Sequence, residues 1–173
     1  SGGASGWSPG SDHASFRILG ANGITLGAWV SLNAVNTGAM QGIISKFRPV
    51  ANGRAYMLYE NEGKVLFRIS PDGGSANFDT VTSSNNIVAG EWTFVVGRWF
   101  AAAMDVWVNG TKTTITPVNS SIYTTTSWLT LMSSYLNDFP AQGKMSMAFI
   151  SATKLSDEIV DNLWASSRGL FGK

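Results

Sequence analysis

Acidic side chains are the first candidates for chemistry in this sequence, because glycoside hydrolysis uses two carboxyl groups that flank the scissile bond. The densest acidic run, DEIVD at 157–161, falls in a predicted helix, where the dipole favours first-turn carboxylates. Glu60 and Glu62 stand two apart in a predicted hairpin turn, where we expect solvent-facing charge. No strand carries an ExDxxE pattern. The sequence therefore predicts a non-enzyme.

The sequence has few residues that could carry out nucleophilic catalysis or bind a metal ion. The chain has no cysteine and one histidine, which excludes cysteine nucleophiles, disulfides, cysteine zinc sites and metal sites with several imidazoles. A Ser-His-Asp triad would have to use His13, which follows the Gly- and Ser-rich start SGGASGWSPGSD. The glycines are dispersed at turns and form no phosphate loop. We therefore predict no catalytic residue and no metal site of these kinds.

Loops at the rims of the predicted strands offer a different chemistry, the recognition of sugars. Aromatic rings stack on the apolar C–H faces of a pyranose, and polar side chains hydrogen-bond its hydroxyls. Segment 133–142 supplies both kinds, and its predicted carbohydrate contacts are Tyr135, Asn137, Asp138 and Gln142. The loop RPVANGR at 48–54 adds Arg48 and Arg54 for an acidic sugar. The open alternatives are an ordinary polar connection for the first segment and solvated cations for the second.

The chain has seven tryptophans, and most are interpreted as core residues. These lie in predicted strands or on the predicted helix: Trp29, Trp92, Trp99, Trp128 and Trp164. Trp107 differs, because in MDVWV it shares a strand face with Asp105 and Asn109. On an open face it would contact a sugar or a partner, and beneath a covering element it would pack. It is retained as a candidate sugar contact, although packing is favoured.

Two stretches fit the pattern of a glycosylation signal, NGT at 109–111 and NSS at 119–121. Asn-Gly between two strands is also the strongest short hairpin signal, because both central residues of a type I′ turn need positive φ. We therefore interpret Asn109 chiefly as a turn residue. Whether Asn109 or Asn119 carries a glycan stays open.

A period of two dominates the sequence and predicts half-buried strands. The clearest strand is GITLGAWVSL, and the others are predicted at 15–19, 42–47, 55–60, 64–70, 91–100, 104–108, 127–132 and 144–151. Ser156 is the predicted N-cap of one helix. The apolar stripe of this helix pairs Ile159 with Leu163 and Val160 with Trp164. Short strands at this spacing predict an all-β fold, an antiparallel two-sheet jelly-roll sandwich with one short C-terminal helix.

Length and charge limit the organisation and the partners. The 173 residues suffice for one domain, predicted at 15–173 after a flexible or docking arm at 1–14. Trp7 in this arm is the predicted contact to a protein partner. A net charge of +1 with 13% charged residues gives no basic stripe for nucleic acid. No run approaches the roughly 20 apolar residues of a membrane span, so membrane insertion is not expected.

The motifs in their order resemble the laminin-G-like branch of the concanavalin A-like lectin/glucanase superfamily. The matching pieces are ITLGAWVSL, IISKF, AYMLYENEGKVLFRIS, IVAGEWTFVVGRW, MDVWVNGTK and GKMSMAFISATKLSDEIVDNLW. The resemblance implies two curved antiparallel sheets, a late short helix and a role in adhesion or glycan recognition. The chain departs from it at Ser146 and Met147, and at Leu19 with the turn that follows. Both places contribute to calcium sites in calcium-binding members, so calcium is possible here but not favoured.

Two functions follow as hypotheses. The first is a non-catalytic carbohydrate-binding or adhesion module of lectin-like fold, part of a larger surface or virion protein. The second is a structural virion domain of a fibre or capsid decoration that uses the jelly roll for assembly without binding glycan. The expected partners are a glycan or neighbouring protein subunits, including copies of the chain itself in a homo-oligomer. The expected location is extracellular, on a cell surface or in a virion.

Overall fold

The computed structural model describes residues 11–18, 22–134 and 138–173. Within these residues the chain forms ten β-strands, one α-helix and short 3-10 helices. The strands are β1 Ile24–Leu32, β2 Gln41–Phe47, β3 Arg54–Asn61, β4 Lys64–Ile69, β5 Asp79–Asn86, β6 Thr93–Phe100, β7 Ala103–Val108, β8 Thr111–Ile115, β9 Thr130–Leu131 and β10 Gly143–Ser151. The helix α1 spans Asp157–Ser167.

The strands form two antiparallel sheets of five. The first sheet has the order β10-β1-β6-β7-β8, and the second has the order β5-β4-β3-β2-β9. The two sheets meet along one side, where the Ser84 N–H of β5 donates to Thr113 Oγ1 of β8 over 3.0 Å. This arrangement confirms the predicted all-β jelly-roll sandwich with one short C-terminal helix.

The core lies between the sheets and follows from the period-two pattern. On β1, Leu26, Ala28 and Val30 enter this core, whereas Trp29 points to the outer face of the first sheet. Strand β6 is apolar on both faces, as predicted, because Val95 faces the core and Val96 joins the outer cluster. Burying both faces of the first sheet requires an element outside it, and α1 is that element.

Helix α1 begins as predicted and covers the outer face of the first sheet. Ser156 Oγ accepts the Ile159 N–H over 3.3 Å, which caps the helix N-terminus. Val160 is fully buried against the outer cluster. The predicted stripe is wrong at Ile159, which is 45% exposed, so the buried side of the helix is narrower than its apolar residues suggest.

Two strand predictions need correction, and one strand was not predicted. Residues 15–19 form no strand over their described part, because a 3-10 helix at Ala14–Phe16 is capped by the His13 ring. Strand β5 escaped prediction because Val81 is the only apolar residue in DTVTSSNN. The strand predicted at 127–132 is reduced to Thr130–Leu131. Just before this strand, the Thr125 and Ser127 hydroxyls donate to loop carbonyls, and the segment does not continue as a regular strand.

Candidate functional site

A polar cleft opens where the loop after β2 faces the segment before β9. We call it the Arg48–Trp128 cleft. Its volume is about 410 Å³, and it is lined by Arg48, Val50, Ala51, Asn52, Gly53, Thr125, Thr126, Ser127 and Trp128. The Arg48 and Trp128 side chains are both half-buried at its wall. The cleft therefore combines one indole and one guanidinium with several hydroxyl and amide groups.

The loop that forms the first wall is fixed by its own backbone. The Arg48 N–H donates to the Gly53 carbonyl over 2.8 Å, and the Gly53 N–H donates to the Val50 carbonyl over 3.1 Å. Asn52 closes the turn with a φ of 58°, a conformation that asparagine tolerates better than most residues. Arg54 Nη1 also donates to the Val50 carbonyl, over 2.8 Å. The wall is thus rigid without any ligand.

The second wall is tied to the first by side-chain hydroxyls. Thr125 Oγ1 donates to the Asn52 carbonyl over 3.0 Å, and Ser127 Oγ donates to the Gly53 carbonyl over 2.7 Å. Both hydroxyls are buried, and Thr125 Oγ1 also accepts the Ser127 N–H. These bonds hold the two walls at a fixed separation.

A buried lysine supports the second wall from beneath. The Lys46 side chain is 1% exposed, and its Nζ donates to Asp12 Oδ1 and to the Ser127 carbonyl. Burial lowers the pKa of Lys46, and the Asp12 carboxylate opposes that effect. Burial by itself would raise the pKa of Asp12, but hydrogen bonds from Lys46 and Arg17 outweigh it, so this pKa lies below its ordinary value. The N-terminal segment is thereby linked to the cleft.

A second cleft is lined in part by segment 133–142. It has a volume of about 300 Å³, and Asp138 and Gln142 lie in its wall with Gln41. Asp138 and Gln142 are both exposed. Tyr135 and Asn137, the two other predicted contacts of this segment, lie outside the described residues, as does Trp7. Of the predicted sugar contacts, Arg48 thus lines the first cleft, and Asp138 and Gln142 line the second.

Glu60 lies behind this second cleft and corrects an expectation. Its side chain was expected to face solvent with Glu62, but Glu60 is fully buried. Its carboxylate accepts the Gly63 N–H over 2.6 Å, the Asn36 N–H over 3.1 Å and Gln41 Nε2 over 2.6 Å. These three donors satisfy the hydrogen-bonding capacity of the buried side chain. Glu60 therefore orders two loops.

Trp107 also needs correction as a sugar contact. Its side chain is 3% exposed and belongs to the cluster beneath α1. The Arg98 guanidinium carbon lies 5.1 Å from its ring centroid, and Lys112 Nζ lies 5.6 Å away. The indole is covered on the outer face of the first sheet, which favours the packing alternative and leaves it inaccessible to a surface sugar.

Arg54 and Trp128 also differ from their expected positions. Arg54 donates to two carbonyls and lies 5.7 Å from the Phe47 ring, so it anchors its loop. Trp128, expected in the core, is half-buried in the wall of the cleft. The aromatic and hydroxyl run SIYTTTSW at 121–128 was the signal that could have identified this wall.

Further findings concern metal sites and membrane spans. Within residues 11–18, 22–134 and 138–173, no group of three or more His, Cys, Asp or Glu side chains is placed to hold a metal ion. Near Ser146 and Met147, where the calcium-binding pattern is lost, β10 carries a bulge opposite β1, and Met147 has a φ of 50°. Over the same described ranges, no helix is long and apolar enough to cross a bilayer.

Comparison with known proteins gives the family and the fold. The family model described as the Concanavalin A-like lectin/glucanases superfamily, of laminin G type, matches residues 5–161. No curated protein sequence matches the chain significantly.

Solved structures with the same fold include two binding domains, one of them in two different complexes. The binding domain of Paraclostridial Mosquitocidal Protein 1 is 13% identical over 90% of this chain and 40% of that one, with a TM-score of 0.69. The binding domain of botulinum neurotoxin DC in complex with SialylT is 14% identical over 84% and 35%, with a TM-score of 0.63. The same domain in complex with rat synaptotagmin II is 16% identical over 84% and 36%, with a TM-score of 0.62. The chain thus spans about two fifths of their length or less.

Proposed function

Because this chain belongs to the concanavalin A-like lectin/glucanases superfamily, we propose that it is a non-catalytic module that binds a glycan in the Arg48–Trp128 cleft. It acts as part of a larger protein that works outside the cell, on a cell surface or in a virion. Arg48 contributes a preference for acidic sugars, and Trp128 provides the ring on which a sugar face stacks.

The observation that carries this proposal is a polar cleft whose walls are already fixed. Thr125 and Ser127 hold the two walls together, and the Gly53 backbone holds the loop. A preformed site avoids the entropic cost of ordering loops when the ligand binds. One half-buried indole among hydroxyl and amide groups is the composition that a sugar requires, with an apolar face and several hydrogen-bonding edges.

Similar structures support a binding role. The botulinum neurotoxin DC binding domain has been solved with SialylT and with rat synaptotagmin II. Those domains are more than twice as long as this chain, so their ligands cannot be assigned to the matching part from the fold alone. The shared fold supports binding as a general role, and the cleft supports the particular place.

The acidic residues support the absence of catalysis. The Glu60 carboxylate is occupied by three N–H donors, and the Asp79 carboxylate accepts the N–H groups of Val118 and Asn119. Asp105 pairs with Arg98 over 2.8 Å on the outer face of the first sheet. The Arg48–Trp128 cleft is lined by no carboxylate among the described residues. A glycosidase needs two carboxyl groups facing the same bond.

A glycan array of the wild-type chain and three variants tests the proposal. We expect Trp128→Ala to abolish the hits, and Arg48→Gln to weaken acidic glycans at least about tenfold more than neutral ones, the effect of losing one charge-assisted hydrogen bond. Gln142→Ala, in the second cleft, is the matched control and should leave the hits unchanged. Hits that survive Trp128→Ala but disappear in Gln142→Ala would place the ligand in the other cleft and refute this site.

The alternative function, assembly without glycan binding, is tested with the same protein. A wild-type chain that gives no glycan hits and forms a trimer or larger ring in light scattering supports the structural virion domain. Trp7→Ala should then dissolve that oligomer. A monomer with glycan hits supports the binding module.

A further inference from the structure

Arg68 lies over two aromatic rings on the outer face of the second sheet. Its guanidinium carbon lies 4.8 Å from the ring centroid of Phe78 and 5.2 Å from that of Tyr59. Arg68 pairs in register with Met57 of β3 and Thr80 of β5. We call Arg68, Tyr59, Phe78 and Thr80 the Arg68 clamp. Tyr59, Arg68 and Thr80 lie on β3, β4 and β5, and Phe78 directly precedes β5. None of these four residues lines the Arg48–Trp128 cleft.

The hydrogen bonding of Arg68 leaves most of its donors available. Its Nε donates to Thr80 Oγ1 over 3.0 Å, and its guanidinium also hydrogen-bonds the Tyr59 side chain, which together use two of the five N–H donors of a guanidinium. Among the described residues no carboxylate forms an ion pair with it. The two fully buried cations of the described residues differ in this respect, because Lys46 pairs with Asp12 and Arg98 pairs with Asp105. Arg68 is thus a half-buried cation that aromatic faces stabilise.

The groups around Arg68 fix the orientation of its guanidinium and, among the described residues, leave its positive charge without a carboxylate partner. Tyr59 is 1% exposed and forms part of the sheet surface under the guanidinium. Burial raises the pKa of Tyr59, and the nearby Arg68 charge opposes this rise, so the phenol stays neutral at ordinary pH. Thr80 fixes the plane of the guanidinium from the edge strand. A planar fork held in one orientation loses little entropy when it binds a partner.

Arg54 provides an internal comparison. It also lies over a ring, that of Phe47, which is 5.9 Å from Phe78. Its Nη1 donates to the carbonyls of Val50 and Gly73. Arg54 therefore serves the loop, whereas Arg68 is anchored through its rings and its Nε. Arg54 thus has a structural role in its loop, whereas the role of Arg68 is unassigned.

From this geometry we propose that the Arg68 clamp binds an oxyanion, either a carboxylate or a sulfate group of an acidic ligand. Guanidinium forks bind carboxylate and sulfate-like groups through two parallel N–H···O bonds. No carboxylate among the described residues competes for the fork, and the Thr80 hydroxyl lies beside it. This site goes beyond the proposed function, because it does not depend on whether the Arg48–Trp128 cleft binds a glycan.

The test is an NMR titration that follows the Arg68 Nε–H signal at constant ionic strength. The probes are sodium sulfate, sodium N-acetylneuraminate and, as a neutral control, lactose. We expect a saturable shift with at least one of the two anions and none with lactose. A shift with sulfate alone identifies a sulfate site, and a shift with neuraminate alone identifies a carboxylate site. The absence of a saturable shift from either anion up to about 100 mM would overturn the proposal.

Variants distinguish binding by the planar guanidinium fork of Arg68 from binding by its positive charge alone. Arg68→Lys keeps the charge but removes the planar fork, and we expect at least about tenfold weaker binding, equivalent to one charge-assisted hydrogen bond. This binding is read from the backbone amides of Phe78 and Thr80. Arg168→Gln, which removes an exposed cation on the other sheet's helical side, should bind like the wild type. Equal affinity in Arg68→Lys would refute the fork. Trp128→Ala should leave the Arg68 shift unchanged, so failure of the cleft and failure of the clamp are distinguishable.

Discussion

Trp107 lies between two cations and beneath a helix, which explains an aromatic residue at a position shared with polar ones. Arg98 and Lys112 both lie within 6 Å of its ring centroid. Both cations also pair with Asp157 of α1, over 2.6 and 2.5 Å. The indole therefore fills the space under the helix while its faces stabilise the charges that hold the helix.

Replacing Trp107 tests this packing role. Trp107→Ala should lower the free energy of unfolding by about 3–5 kcal/mol, because it removes a large buried ring. Trp107→Phe should cost less, and glycan binding at the Arg48–Trp128 cleft should not change in either variant. Urea denaturation measures the stability, and the glycan array measures the binding. A stable Trp107→Ala variant that loses its glycan hits would contradict the assignment.

The paired glutamates make a matched test at Glu60. Glu60→Gln should destabilise the protein by about 2 kcal/mol, because an amide cannot accept all three N–H donors as a carboxylate does. Glu62→Gln, in the exposed turn, should change the stability by less than about 0.5 kcal/mol. Urea denaturation of both variants provides the comparison. Equal effects would show that the buried carboxylate does not order the loops.

Trp107 and Glu60 show which structural features the sequence alone does not predict. The alternation in MDVWV correctly separates Val106 from Trp107, but it cannot say which element covers the outer face. The spacing of Glu60 and Glu62 suggests a turn, and a turn is present, yet two of the three donors to Glu60 come from Asn36 and Gln41, about twenty residues earlier. A contact between distant segments leaves no local pattern for a single sequence to reveal.

At the scale of elements, strong local patterns predicted β1 to β4, β6, β7, β10 and α1. Strand β5 and the short β9 lack them: β5 is an edge strand with polar residues on its exposed face, and β9 is defined by pairing with β2 at Ile44 and Ser45. The lining of the Arg48–Trp128 cleft follows the same division. The sequence predicts Arg48 as a loop residue, whereas it assigns Trp128 to the core because the segment around it has no regular period.

The attachment of α1 gives a prediction for this scale. Hydrogen bonds from Lys112 and then Arg98 lower the pKa of Asp157 below its ordinary value. A lowered folded pKa means that the stabilisation is complete above about pH 4, the unfolded value, and is lost as pH falls through the folded value. Because the Asp157 side chain is 53% exposed, solvent screening keeps its contribution below about 1 kcal/mol.

Asp157→Asn should therefore lower the stability slightly at pH 7 and reduce the loss of stability between pH 7 and 3. Asp161→Asn, on the same helix but without an ion pair among the described residues, is the control. Thermal melting across this pH range measures both variants. Identical pH profiles for wild type and Asp157→Asn would show that the ion pairs do not anchor the helix.

At the scale of the whole molecule, the two sheets use their outer faces differently. Helix α1 and the 3-10 helix after it cover the outer face of the first sheet, where the Trp29 and Phe171 rings stack with their centroids 4.2 Å apart. Both proposed binding sites belong to the second sheet or to loops attached to it. The packing of α1 and the two proposed binding sites thus lie on opposite sides of the shared core, so a variant beneath α1 should leave binding at the proposed sites intact.

Asp12 tests the connection between the N-terminal segment and the second sheet. Asp12 and Lys46 form a buried ion pair, and Lys46 also donates to the Ser127 carbonyl at the cleft. Asp12→Asn leaves a buried ammonium without its counter-charge and should cost about 3 kcal/mol. Because the pKa of Asp12 is lowered, the wild type should lose this stabilisation as pH falls below about 4.

Hydrogen exchange locates the effect. In Asp12→Asn at pH 7, amides of residues 11–18 and of 125–128 should exchange faster, because both segments meet at Lys46. Arg17→Gln, which removes the exposed partner of Asp12 and keeps Lys46 paired, should raise exchange only in the first segment. If the exchange of residues 125–128 is unchanged in Asp12→Asn, Lys46 holds the cleft wall without its carboxylate, and the N-terminal segment has no influence on the proposed glycan site.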